Sequence, residues 1–289
     1  MFQELDADDL YAELIMLRSN DARAFILVEG AADCAVLDRF VNAEAFITVP
    51  AHGKERALGA VEHAYQGDRL TALYAILDRD WTGFLVDGLE HHAVVYTDFY
   101  DLDACIFFAA GVYEALAASF CTDLSFRHGT PGCTHQDISA ACVKLALPLG
   151  LLRYISHRDG LGLNLRDFPL SQVIKRPADG VDLVELLELA CKRAKKDPAH
   201  YGGILPILQQ ELAEVAQGER YCSGHDLAKA FSLLARRQWA SKTGHDGVER
   251  AARAAFGQHL FEQTGMFRES GRWSTSTETP VWKQTASRT

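Results

Sequence analysis

Apolar residues in the first hundred positions fall into short continuous runs that alternate with amphipathic stretches. Residues 5–18 space Leu5, Leu10, Leu14, Ile15 and Leu17 at helical intervals, and Asp6 to Asp9 suit a helix start. Phe25-Ile-Leu-Val28 is a short, unbroken apolar run, the form expected of a parallel strand covered on both faces. Gly30 ends it, and residues 31–40 read as a helix that turns Ala35, Val36, Leu37 and Phe40 inward. The alternation continues with a strand over 45–49, a turn over 50–53, a helix over 54–65, and strands over 73–77 and 93–96. Strand and helix in this succession predict an α/β fold, a mostly parallel sheet flanked by helices.

Past residue 105 the pattern becomes helical, with periodic segments over 106–120, 136–147, 183–196, 204–215, 226–239 and 247–261. Turn formers around 129–132, at Pro169 and over 177–180 separate them. The pattern predicts an α/β domain over residues 1–105 and a mainly helical domain over 106–265 packed on it. Residues 266–289, rich in Ser and Thr, are expected to form a flexible polar tail.

Composition adds a polarity to this plan. The 289 residues carry a formal charge of −10, yet residues 1–105 hold 20 acidic against 7 basic side chains, and the rest of the chain has a small positive balance. An acidic sheet edge repels phosphate unless cations fill it, so any nucleic-acid role located there has to be metal-mediated. Seven scattered cysteines read as reduced thiols rather than a disulfide framework. No unbroken apolar run approaches the roughly 18 residues of a membrane span, and the acidic start of the chain does not resemble a secretory signal. A cytoplasmic location without membrane association is the expectation.

Three acids stand at predicted strand ends. Glu29 directly follows the first strand, and Asp78 and Asp80 follow the third. Ligands of open α/β sheets bind outside the carboxyl ends of the strands, so parallel pairing brings these three to one edge. If the backbone stays extended, Asp78 and Asp80 share a side and Arg79 points away, free to pair with an acid outside the cavity. Converging carboxylates call for protonation or a hard cation, Mg²⁺ or Mn²⁺. Lys54, opening a helix after Gly53, is placed to meet phosphate or to be an ordinary first-turn lysine. Asp98, Asp101 and Asp103 follow the fourth strand and either extend the metal site or, for Asp101, cap the next helix.

Val28-Glu-Gly-Ala-Ala-Asp33, then Gly53-Lys54, then Ile76-Leu-Asp-Arg-Asp-Trp81 resemble the motifs of the Toprim domain shared by topoisomerases, primases and OLD-family nucleases. With Tyr96-Thr-Asp-Phe-Tyr-Asp-Leu-Asp103 and Ser223-Gly-His-Asp-Leu227, the chain is more specifically similar to an uncharacterised group of bacterial Toprim proteins connected with defence against phage. The matching segments are short and spread over residues 20–235. The resemblance implies that Glu29 acts as general acid or base in phosphoryl transfer, that Asp78 and Asp80 bind metal, and that Asp33 and Lys54 are accessory. The family often has glutamate at the position of Asp103; the shorter side chain suits a water-bridged role.

The resulting expectation is a Mg²⁺- or Mn²⁺-dependent nuclease acting on DNA or RNA in defence or repair, with Glu29, Asp78, Asp80 and Lys54 catalytic and Glu29, Asp33, Asp78, Asp80, Asp98 and Asp103 around the metal. The rival is a non-catalytic, metal-assisted nucleic-acid or partner-protein binding module working with a separate ATPase, since this sequence has no Gly-x-x-x-x-Gly-Lys-Ser/Thr loop. Homo-oligomerisation is compatible with both. Other clusters point less far. Cys121, His128, Cys133 and His135 have intervals that fit no tight zinc knuckle. Cys222 and His225 read as packing and capping neighbours before a thiol catalyst, Tyr96 and Tyr100 as core aromatics, and His91-His92 as an exposed turn.

Overall fold

A computed structural model describes residues 6–67, 70–121, 134–175 and 180–284. The chain forms two compact units, residues 1–98 together with 257–289, and residues 99–256. The boundary thus falls at 98/99 rather than near 105, and the last thirty or so residues belong with the first unit.

In the first unit, α1 (Ala7–Arg18) begins with a capping box: the Asp6 carboxylate accepts from the Asp8 and Asp9 amides, and Asp9 reciprocates. The sheet contains β1 (Ala24–Val28), β2 (Phe46–Pro50), β3 (Leu73–Leu77) and β4 (Val94–Tyr96) in the order β2-β1-β3-β4, all parallel. Every residue of β1 and β3 is buried, which explains their unbroken apolar sequences. Helices α2 (Ala31–Leu37) and α3 (Lys54–Gln66) supply the crossovers between β1 and β2 and between β2 and β3. The chain moves to one side of β1 to lay down β2 and to the other side to lay down β3. That reversal opens a crevice at the carboxyl ends of β1 and β3, the position where open α/β sheets place ligands.

The second unit is helical: α4 (Leu102–Phe108), α5 (Val112–Phe120), α6 (His135–Arg158), α7 (Leu183–Arg193), α8 (Ile204–Glu214), α9 (Gly224–Gln238) and α10 (His245–Ala255). The helix expected over 106–120 is two, bent by 82° at a break over 109–111. Helix α6 runs past its expected end at Leu147 and carries Pro148 inside it. A proline removes one hydrogen bond, and packing against α8 and α9 holds the remaining turns in line. By length and composition α6 could cross a membrane; more than half of its apolar window is buried in the structure, and its Arg153 pairs with Asp226 at 2.8 Å. Helix α9 is the hub, packed against α4, α6 and α10 with ten of its residues buried.

The final segment corrects the expected flexible tail. Within it, α11 (Gln258–Phe261), α12 (Gly265–Ser270) and α13 (Trp273–Thr277) return to the first unit. Phe261 stacks on Phe40 at 4.6 Å between ring centroids. Trp273 is fully buried, stacks on Tyr74 at 4.7 Å and donates its indole N–H to the His92 carbonyl at 2.8 Å. The Trp282 indole donates to Ser270 Oγ at 2.9 Å. Hydrogen bonds from Asn42 N to the Val281 carbonyl and from Lys283 N to the Phe40 carbonyl, both 2.8 Å, complete a short antiparallel bridge.

Candidate active site

Strand β1 delivers Glu29 to the crevice, and Gly30 starts α2 immediately afterwards. The Glu29 side chain reaches across to the next strand, where its Oε1 accepts from the backbone amide of Asp78 at 3.1 Å. Asp33 turns back on its own helix: its Oδ2 accepts from the Gly30 amide at 2.8 Å. The loop after β2 is anchored to the same strand end by Ala51 N donating to the Val28 carbonyl at 2.7 Å and Gly53 N donating to the Glu29 carbonyl at 3.2 Å. Gly53 has φ 134°, which an L side chain rarely adopts, and this bend lets α3 begin with Lys54 beside the crevice.

Lys54 is the centre of the arrangement. Its ammonium donates to the carbonyl oxygens of Asp78 (2.7 Å) and Arg79 (3.2 Å), to Asp80 Oδ2 (3.1 Å) and to Thr82 Oγ1 (3.1 Å). It also lies 5.4 Å from the centroid of the Tyr96 ring. Four acceptors around three ammonium hydrogens make this a cation-binding nest already filled by a lysine, not the surface lysine that a first helical turn would otherwise present.

The expectation that Asp78 and Asp80 share a side by strand alternation does not describe this turn. Strand β3 ends at Leu77, and Asp80 has φ 45°, in the left-handed region that non-glycine residues seldom occupy. The bend, closed by Thr82 N donating to the Arg79 carbonyl at 2.8 Å, brings the Asp80 carboxylate to Lys54. Arg79 donates its Nε to the Thr97 carbonyl at 2.7 Å rather than to an acid, and its amide donates to Thr97 Oγ1 at 2.9 Å. Thr82 and Thr97 are thus working parts that sequence reasoning passed over; a threonine signals nothing until its partners are known.

Electrostatics single out Glu29. Its carboxyl is pushed from an ordinary 4.5 up to about 7, first by burial and then by the Asp80 charge, with Lys54 and the Asp78 amide opposing and Asp33 adding a smaller push. A carboxyl with a raised pKa favours folding fully below its unfolded value of 4.5, and that contribution is lost as pH rises through about 7. Glu29→Gln keeps an acceptor for the Asp78 amide and removes the charge. The variant is expected to melt at a higher temperature than the parent above pH 7 and to match it below pH 4.5, measured as melting temperature against pH. Equal melting temperatures at alkaline pH would show that the carboxyl is not under this strain.

The remaining acids are placed elsewhere. Asp98 accepts from the amides of Gly265 (2.8 Å) and Met266 (3.2 Å) at the start of α12. In the second unit Asp101 caps α4, accepting from Ala104 N at 2.6 Å, and also accepts from Gly224 N at 3.0 Å. Asp103 takes both Nε (2.7 Å) and Nη2 of Arg253 in a two-point ion pair. Asp98 and Asp103 therefore serve helix capping and ion pairing. Among the described residues no three His, Cys, Asp or Glu side chains are gathered as a ready-made cage for a metal ion. His128 and Cys133 of the considered zinc set lie outside the described residues. Cys222 is buried, with its thiol pushed well up by burial, and His225 bonds Glu249 at 2.6 Å, which removes the thiol-catalyst reading.

No family model and no curated protein sequence matches the chain.

Proposed function

We propose that the chain is a Toprim-like, Mg²⁺- or Mn²⁺-dependent phosphoryl-transfer enzyme, a nuclease on DNA or RNA. The observation that carries this reading is the gathering of acids beyond the two central strands, with Glu29 Oε1 on the Asp78 amide at 3.1 Å and Lys54 joining the Asp78 carbonyl at 2.7 Å to the Asp80 carboxylate at 3.1 Å. Carboxylate oxygens are the right donors for a hard cation. Mg²⁺ keeps most of its waters and takes one or two carboxylates plus substrate phosphate, so the donor set fits without a three-ligand cage. Asp78 and Asp80 would hold the ion, which when bound would neutralise charge on the phosphate oxygens, and Glu29 is left to move the proton.

The chain's own residues do the rest. A carboxyl that titrates near 7 is half ionised at neutral pH, so Glu29 can take a proton from water as its oxygen bonds to phosphorus, and can return it to the departing ester oxygen. Lys54 holds the Asp78–Thr82 turn in place and carries the positive charge nearest Asp80. The same ammonium would contribute positive charge toward a phosphate bound beside Asp80.

Incubation of the purified protein with single- and double-stranded DNA and with RNA, with and without Mg²⁺ or Mn²⁺, is the test. Metal-dependent cleavage is expected, and Glu29→Gln or Asp80→Asn is expected to slow it by about a hundredfold or more. No cleavage by the parent, or cleavage that these variants leave unchanged, removes the reading. The ion pair already made by Asp80 and Lys54 favours a second reading, a non-catalytic binding module working with a separate ATPase. Retained nucleic-acid or partner binding by an inert parent would support that one.

A further inference from the structure

Helix α9 is buried almost all round, yet one stripe of it is polar. His225, Lys229, Ser232 and Arg236 follow intervals of four, three and four residues and so lie along a single helical face. The face forms one wall of a cavity of about 570 Å³ within the second unit, inside the roughly 300–1,000 Å³ typical of small-molecule sites. Opposite stand Phe168, Pro169 and Leu170, and the rim carries Asp167 and the His245-Asp246 pair at the start of α10.

The polar groups on this stripe are oriented from behind. His225 Nδ1 donates to Glu249 Oε1 at 2.6 Å, and its Nε2 lies 3.4 Å from an Asp167 oxygen. Lys229 donates to the Phe168 carbonyl at 2.9 Å, using one of its three hydrogens. Arg236 gives its Nε to the Ser232 carbonyl at 3.2 Å, which leaves its two Nη groups open among the described residues. Asp167 has φ 48°, backbone strain of the kind that accumulates at ligand sites. Burial also lowers the Lys229 pKa, a cost that a bound anion would relieve.

We propose that this cavity binds a small sugar phosphate, of up to mononucleotide size, with Arg236 and Lys229 on its phosphate and the His225 charge close behind them. The open Nη groups of Arg236 and the remaining hydrogens of the Lys229 ammonium, on one wall, match a group with three acceptor oxygens. The partly exposed Pro169 ring flanks the body of the ligand, and the exposed carboxylates of Asp167 and Asp246 can accept from sugar hydroxyls. The His225 pKa is raised, chiefly by its hydrogen bond to Glu249, with burial and Lys229 opposing and the Glu249 and Asp226 charges assisting; His245 and Asp246 from α10 and Asp167 from the facing loop complete its charged surroundings. Phosphate affinity is therefore expected to fall as His225 loses its proton.

Isothermal titration of the full chain with adenosine 5′-monophosphate, ribose 5-phosphate and sulfate tests the site. Saturable binding is expected, tighter for the sugar phosphates than for sulfate. Arg236→Gln and Lys229→Met are each expected to weaken it about tenfold or more while leaving the melting temperature near that of the parent. Sulfate, a dianion throughout, should bind more tightly at about pH 6 than at about pH 8 in the parent, and this difference should shrink in His225→Gln. The exposed Arg236 keeps the test meaningful if the other variants lose stability. Absence of saturable binding by all three probes overturns the proposal, as does parental affinity in Arg236→Gln and Lys229→Met. Sulfate binding with no gain from the sugar overturns the assignment to a sugar phosphate.

Discussion

Trp273→Ala is expected to destabilise the protein by about 3–5 kcal/mol, read from urea or thermal unfolding of the first unit. The indole is fully buried, stacks on Tyr74 of β3 at 4.7 Å, and its N–H answers the His92 carbonyl at 2.8 Å. Alanine leaves a cavity against the central sheet and takes one of two donors from the His92 carbonyl, which keeps Arg272 Nε at 3.0 Å. Trp273→Phe keeps an aromatic ring and removes the N–H, so its cost should be smaller, about 1–2 kcal/mol. Deletion of residues 265–289 removes Met266, Trp273, Val281 and Trp282 from the core together, and cooperative unfolding of the first unit should be lost. A truncated chain that melts like the parent would show that this segment is an appendage.

Asp101→Ala should damage the second unit at two places at once, costing about 2–4 kcal/mol. One carboxylate serves two helix starts, with Ala104 N at 2.6 Å in α4 and Gly224 N at 3.0 Å in α9, and both amides lose their acceptor at once. The carboxyl pays for its place: burial, and then the neighbouring Asp103 charge, push its pKa up. Its contribution to stability is therefore full below the ordinary carboxylate value and is lost as pH rises through the raised one. Asp101→Asn keeps an oxygen for both amides and removes the charge. It should unfold close to the parent in acid, below the ordinary carboxylate value, and be the more stable of the two at neutral and alkaline pH. An alanine variant no worse than the asparagine one would show that the capping geometry is not what matters.

The apolar runs at 25–28 and 73–77 marked their strands because strands covered on both faces need unbroken apolar sequence, a requirement local enough to read directly. Glu29 at the end of the first run was legible for the same reason. The way Asp80 reaches the site was not. Strand alternation predicted a shared side with Asp78, whereas a left-handed residue beyond the strand end makes the contact with Lys54. The acids at 98 and 103 looked like neighbours of the site by sequence distance, yet Asp98 caps a helix that begins 167 residues later and Asp103 pairs with an arginine 150 residues later. Proximity along the chain carries no information about which long-range donor claims a carboxylate.

The C-terminal segment shows the same limit from the other side. Its Ser- and Thr-rich composition lacks the periodicity of a self-evident helix, so local pattern pointed to a tail. Its few large apolar residues become core once strand and helix partners near the N-terminus are in place. Local pattern alone determined the α/β order of the first unit, the helical character of the second, and the delivery of Glu29, Asp78 and Lys54 to strand and helix ends. Tertiary structure alone decided the strand order that makes a crevice between β1 and β3, the lysine seated among the acids, and the return of Trp273 to the sheet. Strand order and ion pairing depend on which distant groups desolvate one another, and that free energy exists only after the chain has folded.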